Sequence, residues 1–146
     1  MKEEQAQQIA EQWLTEAAES AGNKDLQGHM GMISKRIRVE GVPGFDNLDY
    51  DIWYEQCKQQ FEKSMIKSIG YKGFNYISAM ETQIVFTVHE TVVGTDGTLN
   101  EQIVEMSLEK EDDDVWRLVM ERVLIENDAM RNHEVAKEKA SDSTTN

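Results

Sequence analysis

Three segments with the character of β-strands follow one another in the second half of the chain. Residues 83–94, 98–110 and 115–126 are rich in β-branched side chains and alternate between apolar and polar positions. The breaks between them, at residues 95–97 and 111–114, contain Asp and Gly, which favour turns. The pattern predicts an antiparallel meander, and this sheet constrains what the rest of the chain can do.

The turn sequences also predict how the strands pair. If the turns centred on residues 96–97 and 112–113 are tight hairpins, His89 lies opposite Val104, and Val104 lies opposite Glu121. Both faces of the resulting sheet are substantially apolar. We therefore expect helices to cover one face and a second copy of the chain to cover the other, which predicts a homodimer.

Composition argues against several classes of function. The 146 residues include 15 basic and 28 acidic side chains, a net charge of -13, so nucleic acids and membrane surfaces are not expected as partners because their phosphates would be repelled. The single cysteine, Cys57, permits no internal disulfide, and the three histidines lack ligand spacing, so we predict neither a metal nor another cofactor. No early apolar run resembles a signal peptide and no segment could span a bilayer, which predicts a cytoplasmic protein.

Upstream of the meander the periodicity changes to that of helices. Apolar residues recur every three or four positions over residues 3–21 and again around 50–65. Residues 34–40 and 71–80 alternate in polarity as strands do. This order predicts an α+β fold in which the N-terminal helices pack on one side of a curved antiparallel sheet.

Turn and capping signals mark the remaining boundaries. Asn47 or Asp49 can cap the second long helix, and Gly70 is placed to end it. Beyond residue 126 the chain loses its bulky apolar residues. We therefore predict a folded domain over residues 1–126, and over residues 127–146 a helical stub that becomes a disordered tail.

Three passages carry a resemblance to a known superfamily. They are IRVEG at 37–41, DYDIWY at 49–54 and VWRLV at 115–119. They resemble the nuclear transport factor 2-like superfamily, which includes the SnoaL-like polyketide cyclases and the ketosteroid isomerases. The resemblance implies a cone-shaped α+β fold of the cystatin-like type, with a pocket between the helices and the concave sheet, and a homodimer formed through the other face of the sheet.

The resemblance also assigns the two faces. Residues in phase with the tryptophan of the closing strand are expected at the dimer interface, and residues out of phase with it are expected to face the cone. The expected interface residues are Trp116, Leu118, Met120, Arg122 and Glu105. The expected pocket residues, which could equally fill an ordinary core, are Trp13, Met30, Ile33, Tyr54, Phe61, Val104, Met106, Val119 and Val123.

His89 and Glu121 are the candidate catalytic residues. On the predicted register their backbones lie ~10 Å apart on either side of Val104, so their side chains could converge on one ligand. In an apolar pocket the pair could act as general acid and base, or it could be structural. The isomerases place an Asp base just after the first strand, and Gly41 occupies that position here. This difference argues against an isomerase of that type.

A second charged cluster is expected on the opposite face of the sheet. The predicted register groups Glu90, Glu105 and Arg122 there. Arg is favoured at interfaces and the two carboxylates compensate its charge, so the cluster predicts a salt-bridge network between subunits. The alternative is an anion site.

Three functions remain open at this point. The leading hypothesis is a domain that binds a small, partly apolar molecule in its cone, with no established catalysis. The second is a SnoaL-like cyclase, isomerase or hydratase that uses general acid/base catalysis. The third is an interaction module that docks a protein partner.

Overall fold

The computed structural model describes residues 1–42 and 48–125 and contains three helices and five strands within them. In chain order these elements are α1 (Glu3–Gly22), α2 (Leu26–Met30), β1 (Ile33–Glu40), α3 (Tyr50–Glu62), β2 (Ile66–Met80), β3 (Gln83–Gly94), β4 (Leu99–Lys110) and β5 (Trp116–Ile125). The predicted tail at 127–146 lies outside the described residues. None of the described helices is long and apolar enough to cross a membrane.

The five strands form one sheet in the order β1-β5-β4-β3-β2. Strands β2 to β5 make the predicted antiparallel meander, which confirms the α+β fold class. The sheet is mixed rather than wholly antiparallel, because β1 pairs in parallel with β5. A parallel pair requires a long connection between its strands, and here the whole of α3 and the meander lie between β1 and β5.

The α1 helix supplies much of the cover for the sheet. Its buried stripe is mostly alanine, which leaves room for a large residue, Trp13, to donate a hydrogen bond from Nε1 to the Met32 carbonyl at 3.3 Å. The fully buried strand residues beneath the helices are Ile84, Phe86, Val88, Val104, Met106 and Leu108. We call the face of the sheet that carries these residues the inner face, and the opposite side the outer face.

The α3 helix is shorter than its sequence predicts. Asp49 caps it as expected, accepting a hydrogen bond from the Ile52 amide at 3.0 Å. The helix ends at Glu62 rather than near Gly70, because Ser64 adopts a left-handed conformation with φ of 51° and reverses the chain. Gly70 therefore lies inside β2.

The β3–β4 hairpin differs from the predicted register by one residue. The Gly94 amide donates to the Thr98 carbonyl at 2.9 Å, so the loop contains three residues, 95–97, rather than two. Gly97 closes this loop with φ of 89°, a conformation that glycine adopts without strain. Val88 consequently lies opposite Val104, and His89 lies opposite Ile103. Because side chains alternate along a strand, this shift exchanges the faces of β3 relative to β4.

The β4–β5 loop is also one residue longer than predicted, because the Glu111 amide donates to the Val115 carbonyl at 3.0 Å across residues 112–114. A β-bulge then shifts β5 by one more residue, so Glu121 lies opposite Met106 rather than opposite Val104. Leu118 pairs with Leu108 and Met120 pairs with Ser107, so Val119 is an extra residue on β5. As a result Leu118 shares the inner face with Glu121. The interface prediction is therefore wrong for Leu118, which is 1% exposed, and for Trp116, which packs against the core. Met120, Arg122 and Glu105 lie on the outer face as expected.

Candidate functional site

A cavity of about 730 Å³ lies between the inner face of the sheet and the helices. Its wall includes Trp13, Ile33, Phe61, Met106 and Val123 from the set of expected pocket residues. The exposed side chains of Gln56 on α3 and Asn100 at the start of β4 also line it, so the cavity opens to solvent between these two elements.

The other expected pocket residues lie outside this wall. Met30 and Val104 are 2% and 0% exposed and fill the core. Val119 occupies the bulge in β5. The Tyr54 hydroxyl accepts a hydrogen bond from Gln27 Nε2 at 3.1 Å, in the contact between α3 and α2. These four residues do not line the main cavity in the described structure.

Glu121 projects from β5 into the cavity. It lies level with Met106 on β4 and with Val39 on β1, and it is only 8% exposed. Within the described part of the chain it makes no hydrogen bond and no ion pair. Burial, and next the negative charge of Glu90, raise the pKa of Glu121 well above its ordinary value. Both causes favour the protonated form of this side chain.

Glu90 lines the same cavity from β3 and is held by two donors. It accepts a hydrogen bond from Gln102 Nε2 at 2.7 Å and another from the Tyr71 hydroxyl. Burial raises the pKa of Glu90, whereas both hydrogen bonds oppose that rise by favouring the carboxylate. Burial is also the main reason that the pKa of Tyr71 lies well above its usual range, so the phenol keeps its proton.

The placement of Glu90 corrects the predicted charged cluster. We expected it on the outer face with Glu105 and Arg122, but the three-residue loop turns it inward. Arg122 instead donates from Nε to Glu40 at 3.0 Å and lies 3.8 Å from Glu105. A signal for Glu90 was present in the sequence, because it continues the alternating apolar series of Ile84, Phe86 and Val88.

His89 does not reach the cavity, so the predicted pairing of His89 with Glu121 is wrong. The two residues lie on opposite faces of the sheet. On the outer face, His89 Nε2 lies 3.9 Å from Glu101 Oε1 and is buried without a hydrogen bond to any of the described residues. The prediction failed because its hairpin loop was one residue too short.

Two further titratable groups in the wall are uncharged at neutral pH. Burial lowers the pKa of His29, whose Nδ1 lies 2.8 Å from the Ser20 hydroxyl oxygen. Burial likewise raises the pKa of the Cys57 thiol to about 11. Neither residue was predicted in the pocket. No group of three or more His, Cys, Asp or Glu side chains is arranged to hold a metal ion in the part of the chain that the structure describes.

Solved structures of other proteins share this fold. A provisionally named scytalone dehydratase from Novosphingobium aromaticivorans is 8% identical, with a TM-score of 0.65 over 84% of this chain and 86% of that one. ActVI-ORFA from Streptomyces coelicolor is 12% identical, with a TM-score of 0.63 over 80% and 93%. A nuclear transport factor 2-like protein with a cystatin-like fold, also from N. aromaticivorans, is 10% identical, with a TM-score of 0.65 over 82% and 80%.

The sequence itself matches no family model and no curated protein. The structural likenesses cover most of each chain, but identities of 8% to 12% show the fold alone. They confirm the cone-shaped, cystatin-like fold that the sequence predicts.

Substituting Glu121 by Gln should flatten the pH dependence of stability. The pKa of Glu121 is higher in the folded protein than in the unfolded chain, so the folded state binds more protons and stability falls as pH rises from about 4.5 through the raised pKa. Each unit of this difference corresponds to about 1.4 kcal/mol. Because Gln cannot ionise, we expect the variant to be more stable than the wild type at neutral pH.

Urea unfolding followed over a series of pH values measures this effect. The matched control is Glu55→Gln, which removes an exposed carboxylate from α3. If Glu121→Gln shows the same decline in stability with pH as the wild type, the carboxyl is not held protonated in the fold.

Proposed function

We propose that this chain, which has the nuclear transport factor 2-like fold, binds a small and partly apolar molecule in its cone. The cavity volume of about 730 Å³ lies in the range of small-molecule sites. Its wall is largely apolar and aromatic, with a few polar groups that converge from neighbouring strands. Such a combination orients a ligand while burying most of its surface.

The single observation that carries this proposal is the state of Glu121. A buried carboxyl with no hydrogen-bonding partner destabilises a fold, and buried polar groups are nearly always satisfied. Glu121 is 8% exposed and has no such partner among the described residues, yet it lines an open cavity. A ligand that hydrogen-bonds to it would supply the missing interaction.

Filling the cavity should abolish the binding of an apolar probe. We expect N-phenyl-1-naphthylamine to become fluorescent with the wild type, and Val123→Trp to weaken its binding at least tenfold because the indole occupies the cavity. Ile52→Trp is the control, since Ile52 on α3 is 38% exposed and lies outside the cavity wall. Equal binding by both variants would place the probe elsewhere and argue against the cone as a binding site.

We also propose that two copies pair through the outer face of the sheet. The outer face carries Val85, Ile103 and Met120, and in the described structure the helices pack on the other side. An antiparallel sheet with apolar residues on both faces needs a second cover. The unsatisfied and buried Nε2 of His89 lies on this face as well, which supports a partner there.

Placing a charge at the centre of the outer face should separate the two copies. We expect the wild type to have a dimeric mass by light scattering at micromolar concentration and Met120→Arg to be monomeric, because the guanidinium would be buried without a partner. Ile52→Arg on α3, where Ile52 is 38% exposed, should remain dimeric. A monomeric wild type would remove this proposal.

The cytoplasm is the proposed location. It is supported by the acidic composition and by Cys57, which is a free and buried thiol. Immunofluorescence of the full chain in its native cell would test it, and an extracellular signal would contradict it.

A second candidate function is general acid/base catalysis, and the two cavity carboxyls favour it. No hydrogen bond from a described residue favours the carboxylate of Glu121, whose pKa is raised by burial, whereas hydrogen bonds from Gln102 and Tyr71 favour the carboxylate of Glu90. Two carboxyls in such different environments suit the roles of acid and base. A neighbour in the structural comparison bears the name of a dehydratase, which is the same class of chemistry.

Dehydration of 4-hydroxy-4-phenylbutan-2-one tests this candidate. Glu90 would take a proton from the carbon next to the carbonyl, the electron pair would form a C=C bond, and the C–O bond would break as Glu121 protonates the leaving hydroxyl. We expect the absorbance of the conjugated enone to rise faster than in buffer. Glu90→Gln and Glu121→Gln should each lower kcat/KM by about 10² or more, and Glu55→Gln should not. A wild-type rate equal to that of buffer would exclude this reaction.

A further inference from the structure

The carboxyl side chains of Glu90 on β3 and Glu121 on β5 point into the cavity. No lysine or arginine lines it among the described residues, and the one histidine, His29, is held neutral by burial. The field inside the cone therefore disfavours anions and attracts cations, and the net charge of -13 acts in the same direction.

The carboxyls deep in the cavity lack a countercharge from the protein. Neither Glu90 nor Glu121 forms an ion pair with any residue that the structure describes, although nine other ion pairs occur there. Glu121 in addition has no hydrogen-bonding partner and is more than nine-tenths buried. An acidic cluster alone could be a solvated surface, but this carboxyl is more than nine-tenths buried and points into the cavity.

We propose that the ligand of the cone is an organic cation, an amine carried on an apolar body, whose ammonium group is paired by the carboxyls of Glu121 and Glu90. This inference rests on the proposed binding function and names the chemical class of the ligand. Trp13, Trp53 and Phe61 in the wall suit the apolar body, and their ring faces also attract a cation. A cationic ligand would be complementary in charge to these carboxyls, whereas a neutral ligand would not.

Pairing with an ammonium group changes the protonation of the site. The ion pair requires the carboxylate of Glu121, whereas burial in the cavity favours the protonated acid, so we expect cation binding to release a proton to the solvent. The other titratable side chains that face the pair are Tyr71 on β2, Cys57 on α3 and His29 on α2. Tyr71 and Cys57 keep their protons through neutral pH and His29 has none to lose, so they do not contribute.

Three probes with the same aromatic frame but different charge test the class of ligand. They are phenethylamine, 2-phenylethanol and phenylacetate, each titrated against the complex of the full chain with N-phenyl-1-naphthylamine. We expect the amine to displace the probe at a concentration at least tenfold lower than the alcohol, and phenylacetate not to displace it. Calorimetry of the amine in phosphate and in Tris should differ by the heat of buffer ionisation, which reports the released proton.

Variants separate the failure of this inference from the failure of the proposed function. In Glu121→Gln the amine should lose most of its advantage over the alcohol, because one of the two carboxyls that pair the ammonium is gone, and Glu55→Gln should behave as the wild type. If this variant does not fold, the ratio of amine to alcohol affinity in the wild type decides, because it must rise with pH as Glu121 ionises. If the alcohol binds as tightly as the amine, or if the amine binds without proton release, the proposal that the ligand is a cation is wrong. The proposal of a binding site in the cone is not affected by either result. Failure of N-phenyl-1-naphthylamine to bind at all overturns the proposed function instead.

Discussion

The loop that joins β3 to β4 is the constraint on which the interior of the cone depends. Gly97 adopts a positive φ that allows three residues rather than two to close the hairpin, and this aligns β3 with β4. Side chains alternate strictly along a strand, so a loop shorter by one residue would exchange every inward and outward position of β3 against β4. Glu90 would leave the cavity and His89 would enter it. The acidic character of the site is thus decided in an exposed turn.

The β5 bulge likewise determines which residues of its strand face the cavity. Leu118 and Glu121 are three positions apart, so in a regular strand they would point to opposite faces. The extra residue Val119 allows both to face inward. The consequence is a carboxyl buried without a hydrogen bond to any of the described residues, beside inner residues such as Met106 and Leu118 that are apolar. A fold tolerates such a local conflict when the surrounding core is well packed, and such conflicts concentrate at functional sites.

The predictions from sequence succeeded where one stretch of chain carries its own signal. The stripe of α1, the cap at Asp49 and the alternation of the meander all follow from spacing within about ten residues, and together they indicated the cystatin-like fold. The predictions failed where one extra residue or one unusual backbone conformation changes the position of every residue that follows it. The early end of α3 depends on the left-handed Ser64, and the misassignments of His89, Glu90 and Leu118 depend on one extra residue in each of two hairpin loops.

By itself the sequence determined the class of the fold, the order of its elements, the presence of two apolar sheet faces and the acidic balance of the chain. These properties are local or additive, since periodicity and charge can be counted along the chain. Only the tertiary structure decided which carboxyls share the cavity. The side on which a strand residue points depends on pairing with strands distant in the chain, and a shift of a single residue reverses it. The sequence placed Glu121 on the correct face of the sheet, because the changes in the register of β5 leave it on that face. It placed Glu90 on the wrong face, because the longer β3–β4 loop turns Glu90 inward.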